Sequence, residues 1–321
     1  MSSAPALERP IPARPLPGLG RLPSVLAVGT SALGSYDQAA PVYDAYFEAG
    51  GNFFDTAWVY GESFGPGCCE RALGRWLRTR GVRDDVVLFA KGGHPPYCHP
   101  DLLRSQLLES CDRLGVGCVD LYMPHRDDLT QPVAAFTEAC SAIVSEGLAE
   151  AYGFSNWTLE RVECALRHTR AQRLPSPVAV SNQLSLLHME RPVYPGCVSA
   201  RDRGWHDWLA NEDLALVAWS SQARGLHTGR EAPRRLAASD QARHWYSPGN
   251  VSRLERTAEL ARRREVRPVN VALAWVLHQP FTVFPVIGPR LASELHTALA
   301  ALGLDLSPDE LAWLDVGEGP R

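Results

Sequence analysis

Four side chains of the 321-residue chain have the types and intervals of a proton-relay site: Asp55, Tyr60, Lys91 and His125. A phenol gives up its proton only near a pH of about 10, and an ammonium beside it favours the ionised form and lowers that value. A carboxylate such as Asp55 holds the ammonium in position, and the neutral imidazole of His125 can donate a hydrogen bond to a substrate oxygen. Together the four can deliver a proton to a carbonyl. Lys91 is the one lysine in a chain with 31 arginines. Arginine-biased codon usage also accounts for that scarcity, so the weight rests on the company Lys91 keeps. A guanidinium is a planar fork, whereas an ammonium is a compact point charge that can sit against one phenol or one carboxylate.

Such a site needs elements that bring four distant residues to one rim. Short β-branched runs alternate with segments of helical period, which argues for βα units around a parallel sheet. Strands are predicted near 24–28, 52–55, 86–91, 119–123, 151–154, 179–182, 216–219 and 283–287, and helices over 40–49, 68–78, 102–114, 133–146, 159–168, 203–211, 251–264, 269–277 and 291–302. Asp101, Thr158 and Gly51 read as helix start and stop signals. Asp55, Lys91 and His125 are separated by 36 and 34 residues, about one βα unit each. The expected fold is therefore α/β, a single-domain (β/α)8 TIM barrel over residues 23–321 after a Pro-rich segment 1–22, with the site on its C-terminal face. The stretch from Gly229 to Gly249 reads as a long loop after the seventh strand.

Composition narrows the function classes. A net charge of -4 and a pI near 6.2 leave no footprint for a phosphate backbone, so nucleic acid is not an expected partner. The first 22 residues hold five prolines and no long apolar stretch, which suggests neither a signal peptide nor a membrane anchor and points to a cytoplasmic protein. Eight cysteines without a CxxC pair read as reduced thiols, and His94, Cys98 and His99 lack the second half of a zinc site, so no metal is expected.

The motifs around these residues resemble those of the aldo-keto reductase superfamily. Phe54-Asp55-Thr56-Ala57-Trp58-Val59-Tyr60-Gly61, followed by Glu70-Arg71-Ala72-Leu73-Gly74, is similar to its strand-two signature. Asp120-Leu121-Tyr122-Met123-Pro124-His125 resembles its strand-four histidine motif, and Gly153-Phe154-Ser155-Asn156-Trp157 its strand-five motif. The likeness runs from about Val28 to Leu302. It implies NAD(P)H-dependent reduction of a small-molecule aldehyde or ketone, with Asp55, Tyr60, Lys91 and His125 as the catalytic tetrad and Tyr60 as proton donor.

The same resemblance assigns cofactor contacts. Ser155, Asn156 and Gln183 match the nicotinamide carboxamide contacts, and amides suit a group that both donates and accepts. Trp219 fits the position on which the nicotinamide stacks, although a strand-end tryptophan also packs cores. Ser220, Ser221, Gln222, Arg224 and Gly225 fall in the loop after strand seven, where a pyrophosphate would lie. Gly288, Arg290 and Glu294 fall after strand eight, where the family reads the 2'-phosphate; a guanidinium suits that charge, so NADPH is favoured over NADH. Two departures stand out: Ser220-Ser221-Gln222 replaces the usual Ser-Pro-Leu, and Thr297-Ala298 replaces a frequent Glu-Asn.

For the substrate, Trp58, Trp157, Trp205, Trp208, Trp245 and Tyr246 fall in or near the rim loops with Arg126, Asp127 and Asp128. Aromatic faces beside charged groups suit a hydroxylated ring such as a sugar or cyclitol, with Trp58, Arg126 and Trp157 as its contacts. Two other readings compete with the reductase: a cofactor-binding regulatory subunit of low turnover, and a nicotinamide-independent barrel lyase or hydrolase.

Overall fold

The computed structural model describes residues 11–61, 65–228 and 242–318. Eight parallel strands close into a barrel in sequence order, the first paired with both the second and the eighth. They are β1 Ala27–Gly29, β2 Phe53–Asp55, β3 Val87–Gly92, β4 Val119–Pro124, β5 Ala149–Ser155, β6 Ala179–Ser181, β7 Ala215–Ala218 and β8 Val283–Ile287. The helices outside them are α1 Tyr36–Glu48, α2 Cys68–Arg80, α3 Pro100–Leu114, α4 Val133–Ser145, α5 Leu159–Gln172, α6 Arg203–Asn211, α7 Pro248–Arg263, α8 Pro268–Leu277, α9 Ala292–Leu299 and α10 Pro308–Val316. This is the expected (β/α)8 barrel.

Two hydrophobic layers hold it. One lies between strands and helices, where Phe54, Leu88, Tyr122 and Phe154 meet helix residues such as Trp76, Leu107 and Phe136. The other fills the barrel: Ala27, Phe53, Val87, Phe89, Leu121, Met123, Ala151, Ala179, Ala215, Val217 and Phe284. Side chains alternate across a strand, so each interior row continues two residues further on. The rows Phe53–Asp55, Val87–Phe89–Lys91 and Leu121–Met123–His125 end at three of the four candidate catalytic residues. The interior pattern that closes the core therefore also delivers the site to one rim.

The opposite end is covered by the chain before β1. Leu16 and Leu19 pack on the interior residues, and Ala13 bridges Ser24. Residues 1–10 of the Pro-rich segment and residues 229–241 of the expected long loop lie outside the described residues.

Some boundaries differ from the sequence reading. Asp101 sits inside the first turn of α3; the N-cap is His99, whose Nδ1 accepts from the Asp101 amide, with Pro100 at the first helical position. After α1 the left-handed residue is Gly50, at φ 87°, while a Cβ at Gly51 would collide with the Tyr46 ring. Helix α10 was not predicted, although Ser307 and Glu310 form its capping box.

Candidate active site

Asp55 and Lys91 are each 3 % exposed and form an ion pair across β2 and β3. The Lys91 ammonium lies 5.3 Å from the Tyr60 ring centroid and 4.0 Å from that of Phe89. Tyr60 and His125 meet edge to face with centroids 5.6 Å apart. The chain beyond each strand keeps the ladder going: the Thr56 amide donates to the Phe89 carbonyl, Trp58 to that of Lys91, and His125 to that of Gly92. All four side chains line one cleft of about 1940 Å³.

The loop carrying Tyr60 is braced from behind. Arg113 of α3 donates to the Trp58 carbonyl at 3.2 Å and pairs with the fully buried Glu70 at 3.0 Å and with Glu109 at 3.0 Å. The Trp58 indole N–H donates to Glu109 at 2.8 Å, and its ring packs on Tyr97. Trp58 thus belongs to this brace, outside the cleft lining, which corrects its expected place against the substrate.

Electrostatics divide the roles. Burial, reinforced by the charges of Lys91 and Arg126 and by the neighbouring His94, holds the His125 imidazole far below its ordinary 6.5, so it is neutral near pH 7. Burial raises the Tyr60 phenol above its ordinary 10.0, against the opposing charge of Arg126. The expected lowering by Lys91 is replaced by a different arrangement: Lys91 closes onto Asp55, and Arg126 is the cation that pulls the phenol back. Burial and then Arg126 lower the Lys91 ammonium.

Most of the residues assigned to a cofactor line the same cleft: Ser155, Asn156, Trp219, Ser220, Ser221, Gln222, Arg224, Gly225, Gly288, Arg290 and Glu294. Asn156 adopts φ 59° and is anchored by donating to the His125 carbonyl and accepting from the Val198 amide. After β7, Ala223, Arg224 and Gly225 are successive left-handed residues, and the Ser221 hydroxyl ties this loop to β8 by donating to the Val286 carbonyl at 2.8 Å. Arg290 is exposed, its guanidinium held by Glu294 at 3.1 Å.

Gln183 does not reach the cleft. It is fully buried, and its amide is used inside the fold: Nε2 donates to Ser185 and Oε1 accepts from Ser199. Ser181 stands on the cleft wall instead, paired in register with Ser155. It lies two residues beyond the interior Ala179, so strand alternation was the signal that finds it. Gly29, His94, Tyr194, Cys197 and His227 also line the cleft and were missed.

The aromatic wall expected for a sugar ring is not assembled. Trp157 and Trp245 are fully buried and Trp205 is 3 % exposed, while Trp208 packs on the core. Trp157 stacks on Phe154 at 3.9 Å, and Tyr246 is exposed outside the cleft lining. Of the three proposed substrate contacts, Arg126 alone lines the cleft. Among the described residues no group of three or more metal-ligating side chains gathers, and no helix is long and apolar enough to cross a membrane.

Comparison with known proteins agrees with this fold. The profile of the Aldo/keto reductase family matches residues 25–316. The chain is 29% identical to aldo-keto reductase str7 of Strobilurus tenacellus over 87% of this chain and 80% of that protein. It is 29% identical to the uncharacterized oxidoreductase YrpG of Bacillus subtilis (strain 168) over 92% and 93%, and 27% identical to norsolorinic acid reductase stcV of Emericella nidulans over 88% and 73%. The solved structure of the thermostable aldo-keto reductase Tm1743, bound to the inhibitor epalrestat, superposes with a TM-score of 0.72 at 21% identity, covering 95% of this chain and 99% of that one.

Proposed function

Because the chain belongs to the aldo/keto reductase family, we propose that it reduces an aldehyde or ketone to an alcohol with NADPH, using Tyr60 as the proton donor. The observation that carries this reading is the convergence of Tyr60, a neutral His125 and the Asp55–Lys91 pair on one cleft. Three relatives of this chain bear the name norsolorinic acid reductase, which supports a reductase.

The cleft fits an elongated dinucleotide. It is lined by Tyr60, His125, Trp219, Gly288 and Arg290, and it includes the left-handed run at 223–225. Two buried ring nitrogens at its catalytic end, His125 Nδ1 and Trp219 Nε1, lack a partner among the described residues. Ser155, Asn156 and Ser181 would hold the nicotinamide end, the 220–225 loop the pyrophosphate, and Arg290 the 2'-phosphate. Bound there, the cofactor supplies a hydride.

The protein's part is orientation and proton transfer. His125, neutral, donates a hydrogen bond to the carbonyl oxygen. Tyr60 keeps its proton at neutral pH because burial raises the phenol, and it releases that proton as negative charge develops on the oxygen. Asp55 and Lys91 fix the position of a cation behind the phenol.

Tryptophan quenching on titration with NADPH and with NADH, followed by turnover of a ketone and aldehyde panel, tests the proposal. Quenching at lower NADPH than NADH concentrations and consumption of NADPH with a carbonyl are expected. Quenching without turnover would favour a regulatory subunit, and no quenching by either nucleotide would remove the reductase reading.

A further inference from the structure

Arg126 is the only arginine among the described residues that is buried as a whole residue, at 5 % exposure, and it has no carboxylate partner among them. Other largely buried guanidinium groups close onto acids: Arg113 onto Glu70, Arg161 onto Asp127, and Arg201 and Arg253 onto Asp315. The acids nearest Arg126 in sequence are engaged elsewhere, Asp127 with Arg161 and Asp128 with Thr130. Lys91, the other cation of the site, is matched by Asp55. The pocket floor therefore carries one guanidinium charge that the described residues leave uncompensated. Taking such a charge out of water is costly unless a counter-ion or hydrogen bonds offset it.

Arg126 is also held in a way that suits a fixed donor. Its amide donates to the Gly93 carbonyl, and its own carbonyl accepts from Trp157 Nε1 and Cys98 Sγ, each at 3.4 Å. The side chain reaches from the end of β4 towards the segment after β6, passing close to Gly196, where a Cβ would stand 3.5 Å from its Cδ. One terminal nitrogen donates to the His125 carbonyl at 2.8 Å and the other to Cys197 Sγ at 3.5 Å, while Nε has no partner among the described residues. A guanidinium carries five N–H donors, so donors are left over beside the Tyr60–His125 pair.

We propose that Arg126 binds a carboxylate of the substrate, so that the preferred substrates are carbonyl compounds with a carboxylate within a few bonds of the reactive carbon. This rests on the reductase reading and names its substrate class. The carboxylate supplies the missing counter-charge and anchors the molecule with its carbonyl towards Tyr60 and His125. It replaces a hydroxylated ring as the expected ligand, since the rings meant to stack on one are buried in the core or stand outside the cleft lining.

The test compares phenylglyoxylate with its methyl ester, two 2-oxo compounds that differ in the anionic oxygen. In the NADPH-dependent assay the wild type is expected to favour the acid by ~10-fold or more in kcat/KM, the size of one charge-assisted hydrogen-bond set. In Arg126→Gln the ratio of acid to ester is expected to fall towards one, chiefly through KM for the acid, and Arg126→Lys should recover part of it. Added salt should weaken the acid's advantage in the wild type. A wild type that prefers the ester, a ratio unchanged in Arg126→Gln, or a loss of NADPH affinity in that variant as large as the loss for the acid would overturn the assignment. If Arg126→Gln does not fold, the wild-type comparison and its salt dependence still decide. Equilibrium titration of the protein with the two compounds reads the carboxylate preference without turnover, so failure of the reductase reading and failure of this one are separable.

Discussion

At Tyr60 a hydroxyl must be a poor acid in the resting site and a good donor in the reaction. Burial keeps it protonated above its ordinary 10.0, so reduction is expected to stay level across neutral and mildly alkaline pH. Tyr60→Phe should keep NADPH binding by quenching and lose at least ~100-fold in turnover, as for removal of a general acid. Turnover within a few-fold of wild type would show that Tyr60 is not the donor. Lys91 offers a sharper comparison, because arginine serves for every other cation in the chain. Lys91 is 3 % exposed between Asp55 and the Phe89 ring, and a guanidinium is larger and planar. Lys91→Arg is expected to lower turnover by ~100-fold despite the conserved charge. Activity near the wild-type level in that variant would mean that charge alone suffices there.

At the level of elements, the Tyr60 loop is only as well placed as α2 and α3 hold it. Glu70 on α2 is fully buried, and its counter-charge is Arg113 on α3. Arg113→Met leaves that carboxylate uncompensated and is expected to cost about 3–5 kcal/mol in urea unfolding. Replacing both residues, with Glu70→Leu added, should recover most of the loss; a single variant as stable as wild type would show that the pair does not hold the helices. The strands and the convergence of Asp55, Lys91 and His125 on one cleft were legible in the sequence because barrel interiors impose a two-residue alternation that ends in those residues. The start of α3 was misread and α10 was not predicted, where the caps used His99-Pro100 and Ser307-Pro308. Gln183 was chosen for its amide, while the fold ends β6 at Ser181 and turns Gln183 inward onto Ser185 and Ser199. The fate of the tryptophans was not legible either: whether a ring in a loop faces solvent or core is decided by tertiary packing, as Trp157 on Phe154 shows.

Across the whole molecule, stability and pH are linked through histidines folded in their neutral form. His227, in the loop after β7, is 1 % exposed, neither ring nitrogen has a partner among the described residues, and burial lowers it from 6.5 to about 3. His125 is shifted the same way. The unfolded chain takes up these protons near 6.5, whereas the native fold refuses them until far lower pH, so the unfolded state binds more protons in between. Their contribution is fully present above about pH 6.5 and is lost as pH falls from there towards the folded values, at up to about 1.4 kcal/mol per pH unit for each histidine. At pH 4.5 His227 alone would remove roughly 2–3 kcal/mol, a large share of the 5–15 kcal/mol typical of a folded domain. His227→Leu keeps an apolar group of similar size and removes two unpaired buried nitrogens, so it should raise stability at pH 7.5 by about 1–3 kcal/mol. It should also make urea midpoints fall less steeply between pH 7 and 4.5 than in the wild type. A variant that is less stable at pH 7.5, or that keeps the wild-type pH slope, would show that the imidazole has a partner in solution and that the acid sensitivity arises elsewhere.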